Sequence, residues 1–219
     1  MMLTSSSRQI GQKIPSVRID ARTLDLPRTQ SSASRKRVKP QVLLPPTVTD
    51  RLLLRTLVAS DVGSRYLSWL SDPEITRYLD VSDKPIGSVD ELRCWVDAIN
   101  ASADNVLFGI FLKDTQRHIG NIKFGPIWER HRRGDIGFLI GERDSWGKGF
   151  ASEAISALTS HVFDHLEIDK ITAGCFLDNT GSTKALLKAG FAHEATLPLH
   201  GLVDGRRMAS LLFGLYRTR

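Results

Sequence analysis

The sequence predicts a mixed α/β domain in which helices lie on the faces of one sheet. The predicted elements follow the order β-α-α-β-β-β-α-β-α-β-β without an internal repeat, and this order is typical of such a sheet. Hydrophobic residues make up 41% and charged residues 25%, a balance that excludes a wholly disordered or fibrous chain. A length of 219 residues allows one hydrophobic core with a long appendage.

The appendage is predicted at the N-terminus. Residues 1–48 hold nine Lys/Arg and two Asp, so they account for the chain's net charge of +6. They are rich in Ser, Thr, Arg and Pro without helical or strand periodicity, which predicts a basic, disordered tail ahead of a domain at 49–219. A solvated extension or a mis-assigned start codon is favoured over organelle targeting or RNA tethering. Because the domain is near neutral, we do not expect it to bind nucleic acid.

Composition also excludes some classes of site. Apolar runs such as Val106–Phe108 are far shorter than a membrane span, so we expect no membrane partner. Cys94 and Cys175 lack the spacing of a disulfide framework or zinc site, which indicates a reducing, cytoplasmic setting. His161 and His165 lie four residues apart but no third ligand follows, so no metal is expected.

The first half of the domain predicts one strand and two helices. Residues 51–57 form a short apolar run typical of a strand. Ser60–Asp61 offers an N-cap to a helix that Pro73 ends. Ser88 and Glu91 form a capping box, which predicts the start of a second helix.

The second half predicts a hairpin followed by alternating elements. Apolar runs at 106–112 and 119–127 flank a polar segment, the pattern of an antiparallel hairpin. A third strand at 135–140 contains Gly137, which suggests a bulge or a close backbone approach. The remaining predicted elements are a helix at 151–166, a strand at 168–177, a helix at 182–189 and strands at 194–199 and 208–216.

Several conspicuous side chains have structural interpretations. Trp69, Trp95 and Phe163 fall on helical stripes and are expected in the core. Cys175 is expected to be a small buried hydrophobe rather than a nucleophile, since no partner base is identifiable.

The most informative segment joins a strand to a helix. In the glycine turn, residues 146–151, Gly147 and Gly149 flank Lys148 just before the predicted helix. Unpaired N–H groups and the positive end of the helix dipole converge there, which favours phosphate binding. The alternative interpretation is an ordinary strand-to-helix connection, because a lone Gly-x-Gly is a weak signal.

A second segment makes the pattern specific. Asn179 and Ser182 begin a short predicted helix that ends at Gly190-Phe191. Together the two segments resemble the GNAT acetyltransferase superfamily, whose first motif matches Asp144–Gly149 except that Asp144 replaces a glutamine or arginine.

The resemblance covers roughly residues 51–217. Within the superfamily, Trp146–Ala154 is similar to the Rim-type branch of ribosomal-protein N-terminal acetyltransferases. It implies a mostly antiparallel, twisted central sheet with helices on both faces, whose strands splay apart at the cofactor site. It also implies acetyl-CoA as co-substrate and no metal. The residues that it implies for cofactor binding are Phe138, Leu139, Ile140, Trp146, Gly147, Lys148, Gly149, Phe150, Ala151, Asn179 and Ser182.

The resemblance further implies an acid and a base. Many members use a tyrosine seven residues after the motif asparagine as the acid, but Leu186 stands there, so Ser182 replaces it as candidate. The alternative is that the Ser182 hydroxyl only caps its helix. Asp135 is the first candidate for the base, ahead of Glu129 and His131.

An Asp paired with a neighbouring arginine, Arg132 or Arg133, is the structural alternative for Asp135. His193, His200 and Asp204 lie in the region that borders the acceptor site in this superfamily, and they either touch substrate or are simply exposed.

The implied activity is acetyl-CoA-dependent N-acetylation of a primary amine by direct attack in a ternary complex. A protein N-terminus and a small-molecule amine such as an aminosugar are both open as acceptor, and a homodimer is open beside a monomer. The alternative is a catalytically weak GNAT-fold module that binds CoA and is tethered to RNA or the ribosome by the basic tail. The +7 charge of residues 1–48 and the absence of the tyrosine motivate it.

Overall fold

A computed structural model describes residues 42–79 and 86–218. The predicted tail up to residue 41 and the Pro85 end of the predicted loop lie outside these residues. Residues 42–48, which the sequence assigns to the tail, lie against the domain. Leu44 is buried in the core, and the Pro45 carbonyl oxygen lies 2.8 Å from Nε2 of His161.

The described chain forms eight strands and five α-helices. The strands are β1 (Thr47–Val48), β2 (Leu52–Thr56), β3 (Val106–Leu112), β4 (His118–Trp128), β5 (Arg133–Ile140), β6 (Lys170–Phe176), β7 (Ala192–Val203) and β8 (Arg206–Tyr216). The helices are α1 (Ser64–Ser71), α2 (Pro73–Thr76), α3 (Val89–Asn100), α4 (Phe150–His165) and α5 (Thr180–Lys188).

The strands form one sheet in the order β1-β2-β3-β4-β5-β6-β8-β7. Neighbours are antiparallel except β5 and β6, which run parallel and are joined by the crossover helix α4. This arrangement confirms the predicted mixed, mostly antiparallel sheet. None of the described helices is long and apolar enough to cross a membrane.

Helices cover both faces of the sheet, as predicted. On one face the apolar side of α4, including Ile155 and Leu158, packs on the middle of the sheet and forms the larger core. On the other face Trp69 of α1 and Leu92 of α3 build a smaller core on β2 and β3. Trp69 is 3% exposed, in agreement with its predicted place, and Phe163 is partly buried against the larger core.

Two predictions about the first helices are wrong. Helix α1 begins at Ser64 rather than after Ser60–Asp61, because the Asp61 carboxylate is already occupied. It accepts hydrogen bonds of 2.7 Å from the Arg55 guanidinium and 3.0 Å from the Val58 N–H, which close a single turn of 3-10 helix instead. Trp95 is 38% exposed, because it lies on the solvent side of α3 while Leu92 and Val96 face the core.

Gly137 does not mark a bulge. It pairs in regular register with Lys123, and the irregularity between β4 and β5 lies instead between Phe124 and Ile127. A Cβ built on Gly137 would meet open space, so no backbone of the described chain approaches it closely.

Candidate active site

Strands β5 and β6 pair only at their first residues. The parallel register joins 133–135 to 170–172, and beyond the Asp135–Thr172 pair, which we call the vertex, no pairing continues. The β5–β6 gap is thus bounded by residues 136–140 and 173–176. This is the splay that the sequence-based resemblance implies.

The alternation of hydrogen bonds decides which backbone groups face the gap. The Gly141 N–H donates to the Ile119 carbonyl at 2.9 Å, so the backbone groups of Leu139 also point toward β4. Phe138 and Ile140 fall between these pairs, and their N–H and C=O groups are directed into the gap. Leu139 can therefore contact a ligand in the gap only through its side chain.

A carboxylate lies at the vertex. The Thr172 hydroxyl donates a hydrogen bond to the Asp135 carboxylate, and the Arg133 guanidinium lies 3.8 Å from it. Asp135 nonetheless stays 44% exposed and lines a cleft of about 360 Å³ between β5, β6 and β8. Arg132 pairs with Asp169 at 2.7 Å instead. Asp135 is thus oriented by its neighbours and open to a ligand on its free side.

The glycine turn leads from β5 into α4. Gly147 and Gly149 have φ of +73° and +83°, values that favour glycine over residues with a Cβ. Gly149 is the N-cap of α4, and no side chain among the described residues caps the helix there. The N–H groups of the first helical turn are therefore available to an anion at the positive end of the helix dipole.

Two cations lie beside this turn. A Cβ built on Gly149 would be 3.6 Å from Nη2 of Arg51 and 3.7 Å from Nζ of Lys188. These side chains, with Ser152 and Glu153 of α4, line a second cleft of about 280 Å³. Asp50 also lines the cleft, so two carboxylates face the two cations, and what favours a phosphate group is the position of Arg51 and Lys188 beside the unpaired N–H groups at Gly149.

Trp146 folds the turn back on β5. Its indole N–H donates to the Ile140 carbonyl at 2.7 Å, and its side chain remains 40% exposed. The mouth of the gap is therefore next to the glycine turn, so an elongated ligand can reach from one to the other.

Asp144, which departs from the family motif, has a structural partner. Arg117 from the β3–β4 turn donates hydrogen bonds of 2.8 and 2.9 Å to its two oxygens. These bonds hold the pKa of the Asp144 carboxyl below its ordinary value. Because Arg117 neutralises this carboxylate, the replacement of the family's glutamine or arginine by Asp144 adds no unpaired negative charge beside the glycine turn.

Asn179, not Ser182, caps α5. The Asn179 side-chain oxygen accepts the Ser182 backbone N–H at 3.1 Å. The Ser182 hydroxyl has no hydrogen-bond partner among the described residues, so the interpretation of Ser182 as the cap is wrong. Leu186, at the position of the family's tyrosine, is fully buried in the core and supplies no proton.

The other candidates lie apart from the vertex or are already paired. Glu129 and His131 belong to a 3-10 turn that precedes β5. His193 lies 3.0 Å from the Thr196 hydroxyl, and Asp204 pairs with Arg77 at 2.9 Å.

The surroundings of Cys175 do not favour a reactive thiolate. Burial raises the pKa of its thiol, and its Sγ lies 3.4 Å from the Thr183 hydroxyl. Within residues 42–79 and 86–218 no three His, Cys, Asp or Glu side chains come close enough together to hold a metal.

Sequence reasoning missed Arg51, Lys188 and Arg117. Arg51 stands at the edge of an apolar run, and this pattern predicts only the start of a strand. It lies nearly one hundred residues from the glycine turn, so no local pattern could join the two.

Comparisons with known proteins place this geometry in a family. Residues 51–192 match the family described as the acetyltransferase (GNAT) domain. The chain is 33% identical over 172 residues to the uncharacterized N-acetyltransferase p20 of Bacillus licheniformis, an alignment that covers 77% of this chain and 94% of that protein. It is 32% identical over 91 residues to the ribosomal-protein-serine acetyltransferase of Escherichia coli, covering 42% and 49%.

A solved structure shares the fold. The spermidine N-acetyltransferase of Vibrio cholerae, determined in complex with CoA and spermine, superposes with a TM-score of 0.69 at 21% identity. The match covers 77% of this chain and 96% of that one. With the family match and the splayed sheet, these relatives show that the chain belongs to the GNAT family and is an N-acetyltransferase.

Proposed function

We propose that the protein transfers the acetyl group of acetyl-CoA to a primary amine by direct attack in a ternary complex. The observation that carries the proposal is the β5–β6 gap, which has unpaired backbone groups along one side, the glycine turn at its mouth and a carboxylate at its vertex. A ligand with a diphosphate, a flexible amide-bearing arm and a reactive thioester matches these three features in that order.

In this proposal the cofactor lies along β5. The diphosphate accepts hydrogen bonds from the N–H groups of Gly149, Phe150 and Ala151 at the start of α4. The pantetheine amides pair with the N–H and C=O of Phe138 and with the N–H of Ile140, as a neighbouring strand would, since the Ile140 carbonyl already accepts the Trp146 indole N–H. Trp146 and Lys148 flank the mouth of the gap, and Asn179 and Ser182 border the side opposite β5.

The acetyl carbonyl then lies near the vertex. A backbone N–H of β5 directed into the gap stabilises the negative charge that develops on its oxygen. The amine nitrogen forms the new C–N bond, the C–S bond breaks, and the proton lost by the amine moves to Asp135. Ser182 donates a proton to the departing thiolate and regains one through solvent, to which Asp135 releases the proton that it took from the amine.

The acceptor is a protein N-terminus or a small-molecule amine such as an aminosugar. The spermidine and ribosomal-protein acetyltransferases among the similar proteins support an amine acceptor. A polyamine is a less suitable acceptor, because its several ammonium groups need free carboxylates. The 360 Å³ cleft holds Asp135 and Glu194, and Glu194 is already paired with Lys170 at 2.7 Å and with the Tyr216 hydroxyl at 2.6 Å.

The test uses the purified full-length chain. Calorimetry with CoA measures binding, and thiol release from acetyl-CoA is followed while amines and peptides with free N-termini are offered. We expect CoA binding and thiol release that depends on one class of amine. Absence of CoA binding would reject the proposal. Binding without turnover for any amine would support the alternative of a CoA-binding module, which the relatives' names do not favour.

A further inference from the structure

An ion pair and a hydrogen bond connect the β1–β2 turn to the first turn of α4 and to the glycine turn. The Arg51 guanidinium lies 2.5 Å from the Glu153 carboxylate of α4, and its Nη1 donates to the Lys148 carbonyl at 3.0 Å. Arg51 also lies over the Phe150 ring, 4.5 Å from its centroid. One side chain from the β1–β2 turn thus contacts three consecutive parts of the segment that surrounds Gly149.

Glu153 holds Arg51 in this orientation. Its carboxylate also accepts hydrogen bonds from the Thr49 hydroxyl at 2.5 Å and from the Arg51 backbone N–H at 3.1 Å. Burial raises the pKa of Glu153, but the hydrogen bonds from Thr49 and Arg51 outweigh it and keep the pKa below its ordinary value. The carboxylate is therefore ionised near neutral pH, and both ends of Arg51 are fixed.

The fixed guanidinium still has a free side. Arg51 is 48% exposed, and its Nη2, which lies 2.5 Å from the Glu153 carboxylate, is also 3.6 Å from the position that a Gly149 Cβ would take. Lys188 approaches the same point from the last turn of α5 and has no ion-pair partner among the described residues. A planar guanidinium with free N–H groups and a neighbouring ammonium form a positive site that complements a phosphate group.

We propose that Arg51 is a positioning and phosphate-binding residue for the cofactor, and that Glu153 acts through it. Arg51 fixes the Lys148 carbonyl so that the glycine turn presents its N–H groups outward, and with Lys188 it contacts the phosphate groups of CoA. The inference rests on the proposed use of acetyl-CoA and extends it to residues of the first strand and of α5.

The test compares the full cofactor with a form that lacks the phosphates. The ratio of kcat/KM for acetyl-CoA to that for S-acetylpantetheine is measured together with the Kd of CoA. We expect Arg51→Met to raise this Kd about tenfold and lower the ratio by a similar factor, because it removes a charge-assisted hydrogen bond. Arg51→Lys restores only part of the affinity, since an ammonium cannot bond Glu153, the Lys148 carbonyl and a phosphate together.

A double-variant cycle tests the role of Glu153. Glu153→Ala is expected to weaken CoA binding about threefold in the wild-type background and to add nothing in Arg51→Met, since partners that act as a unit are not additive. Arg93→Met is the matched control, because Arg93 makes an ion pair with Asp90 on α3, on the other face of the sheet. It should leave both the Kd of CoA and the ratio unchanged.

The outcomes separate this inference from the proposed function. A wild-type protein that binds CoA while Arg51→Met binds it equally well would overturn the inference alone. Equal losses with acetyl-CoA and S-acetylpantetheine would also overturn it, since they indicate a purely structural role. A wild-type protein that does not bind CoA would reject both.

Discussion

The two halves of β5 differ in what lies along their β6 side. Over 133–135 the strand is part of a continuous sheet, with Lys170, Ile171 and Thr172 as partners. Over 136–140 the same side has no partner strand, although the β4 side remains paired as far as Ile140. The first half is ordinary sheet, whereas the second has backbone donors and acceptors that a ligand can use.

This comparison explains why the candidate chemistry lies at the boundary. Asp135 belongs to the paired half and is oriented by Thr172, so it has a defined position. The neighbouring gap has space and unpaired hydrogen-bonding groups, which a continuous sheet lacks. A reaction centre at the vertex therefore combines a rigid side chain with an open strand edge.

The largest expected effect tests whether the open half ends in a phosphate site. Gly149→Glu should abolish measurable CoA binding, because its carboxylate would pair with Arg51 and Lys188 at the place where a phosphate belongs. Gly149→Ala is the matched control, since it carries the same strain at φ +83° without the charge. Calorimetry decides, and equal affinities of Gly149→Glu and wild type for CoA would refute this placement.

A second variant tests the vertex. Asp135→Asn should lower kcat about 100-fold through loss of a general base, while the KM for acetyl-CoA changes little. Asp169→Asn serves as control, because Asp169 pairs with Arg132 at the start of the same strands and does not border the gap. Steady-state rates of thiol release measure both, and an active Asp135→Asn would remove Asp135 from the mechanism.

A third pair of variants separates chemistry from helix capping on α5. Ser182→Ala should lower kcat about tenfold and leave the stability nearly unchanged, since the hydroxyl does not cap the helix. Asn179→Ala should instead cost about 1 kcal/mol of unfolding free energy through loss of the cap. Urea unfolding and kcat together test this, and a destabilised but fully active Ser182→Ala would contradict it.

The smallest expected effect concerns His118, a buried histidine on the face of the sheet that α1 covers. At the start of β4, Nε2 of His118 lies 2.9 Å from the Gly120 carbonyl and 2.9 Å from the Asn121 side-chain oxygen. The ring is enclosed by aromatic side chains, including Phe111, which stacks on it at 4.9 Å. Burial lowers the pKa of His118 below its ordinary value of 6.5, and these hydrogen bonds only partly offset the shift.

The sign of the pH dependence follows from that shift. Below about pH 6.5 the unfolded chain takes up the proton first, so His118 makes stability fall with decreasing pH, by at most about 1.4 kcal/mol per pH unit. Above pH 6.5 the His118 ring is neutral in both the folded and the unfolded chain, so it no longer makes stability depend on pH. His118→Gln removes a buried ring, so urea unfolding should show a lower free energy of unfolding at pH 8. Because glutamine does not titrate, the free energy of unfolding should also depend less on pH between pH 7 and 5. A slope equal to that of the wild type would exclude His118 as its source.

Much of the fold was predictable from local patterns. The hairpin of β3 and β4 and the long helix α4 follow from apolar periodicity, and the glycine turn follows from two glycines placed between a strand and a helix. The errors arose where a tertiary partner outweighs a local preference. Asp61 could cap a helix in isolation, but the Arg55 guanidinium takes its carboxylate.

The sequence by itself determined the family, the order of elements and the position of the glycine turn that we propose as the phosphate site, because each depends on residues close together in the chain. Only the tertiary structure decided that β5 and β6 part after Asp135–Thr172, and that Arg51 and Lys188 meet at Gly149. These contacts join residues far apart in sequence, and their energies depend on distances that periodicity does not encode.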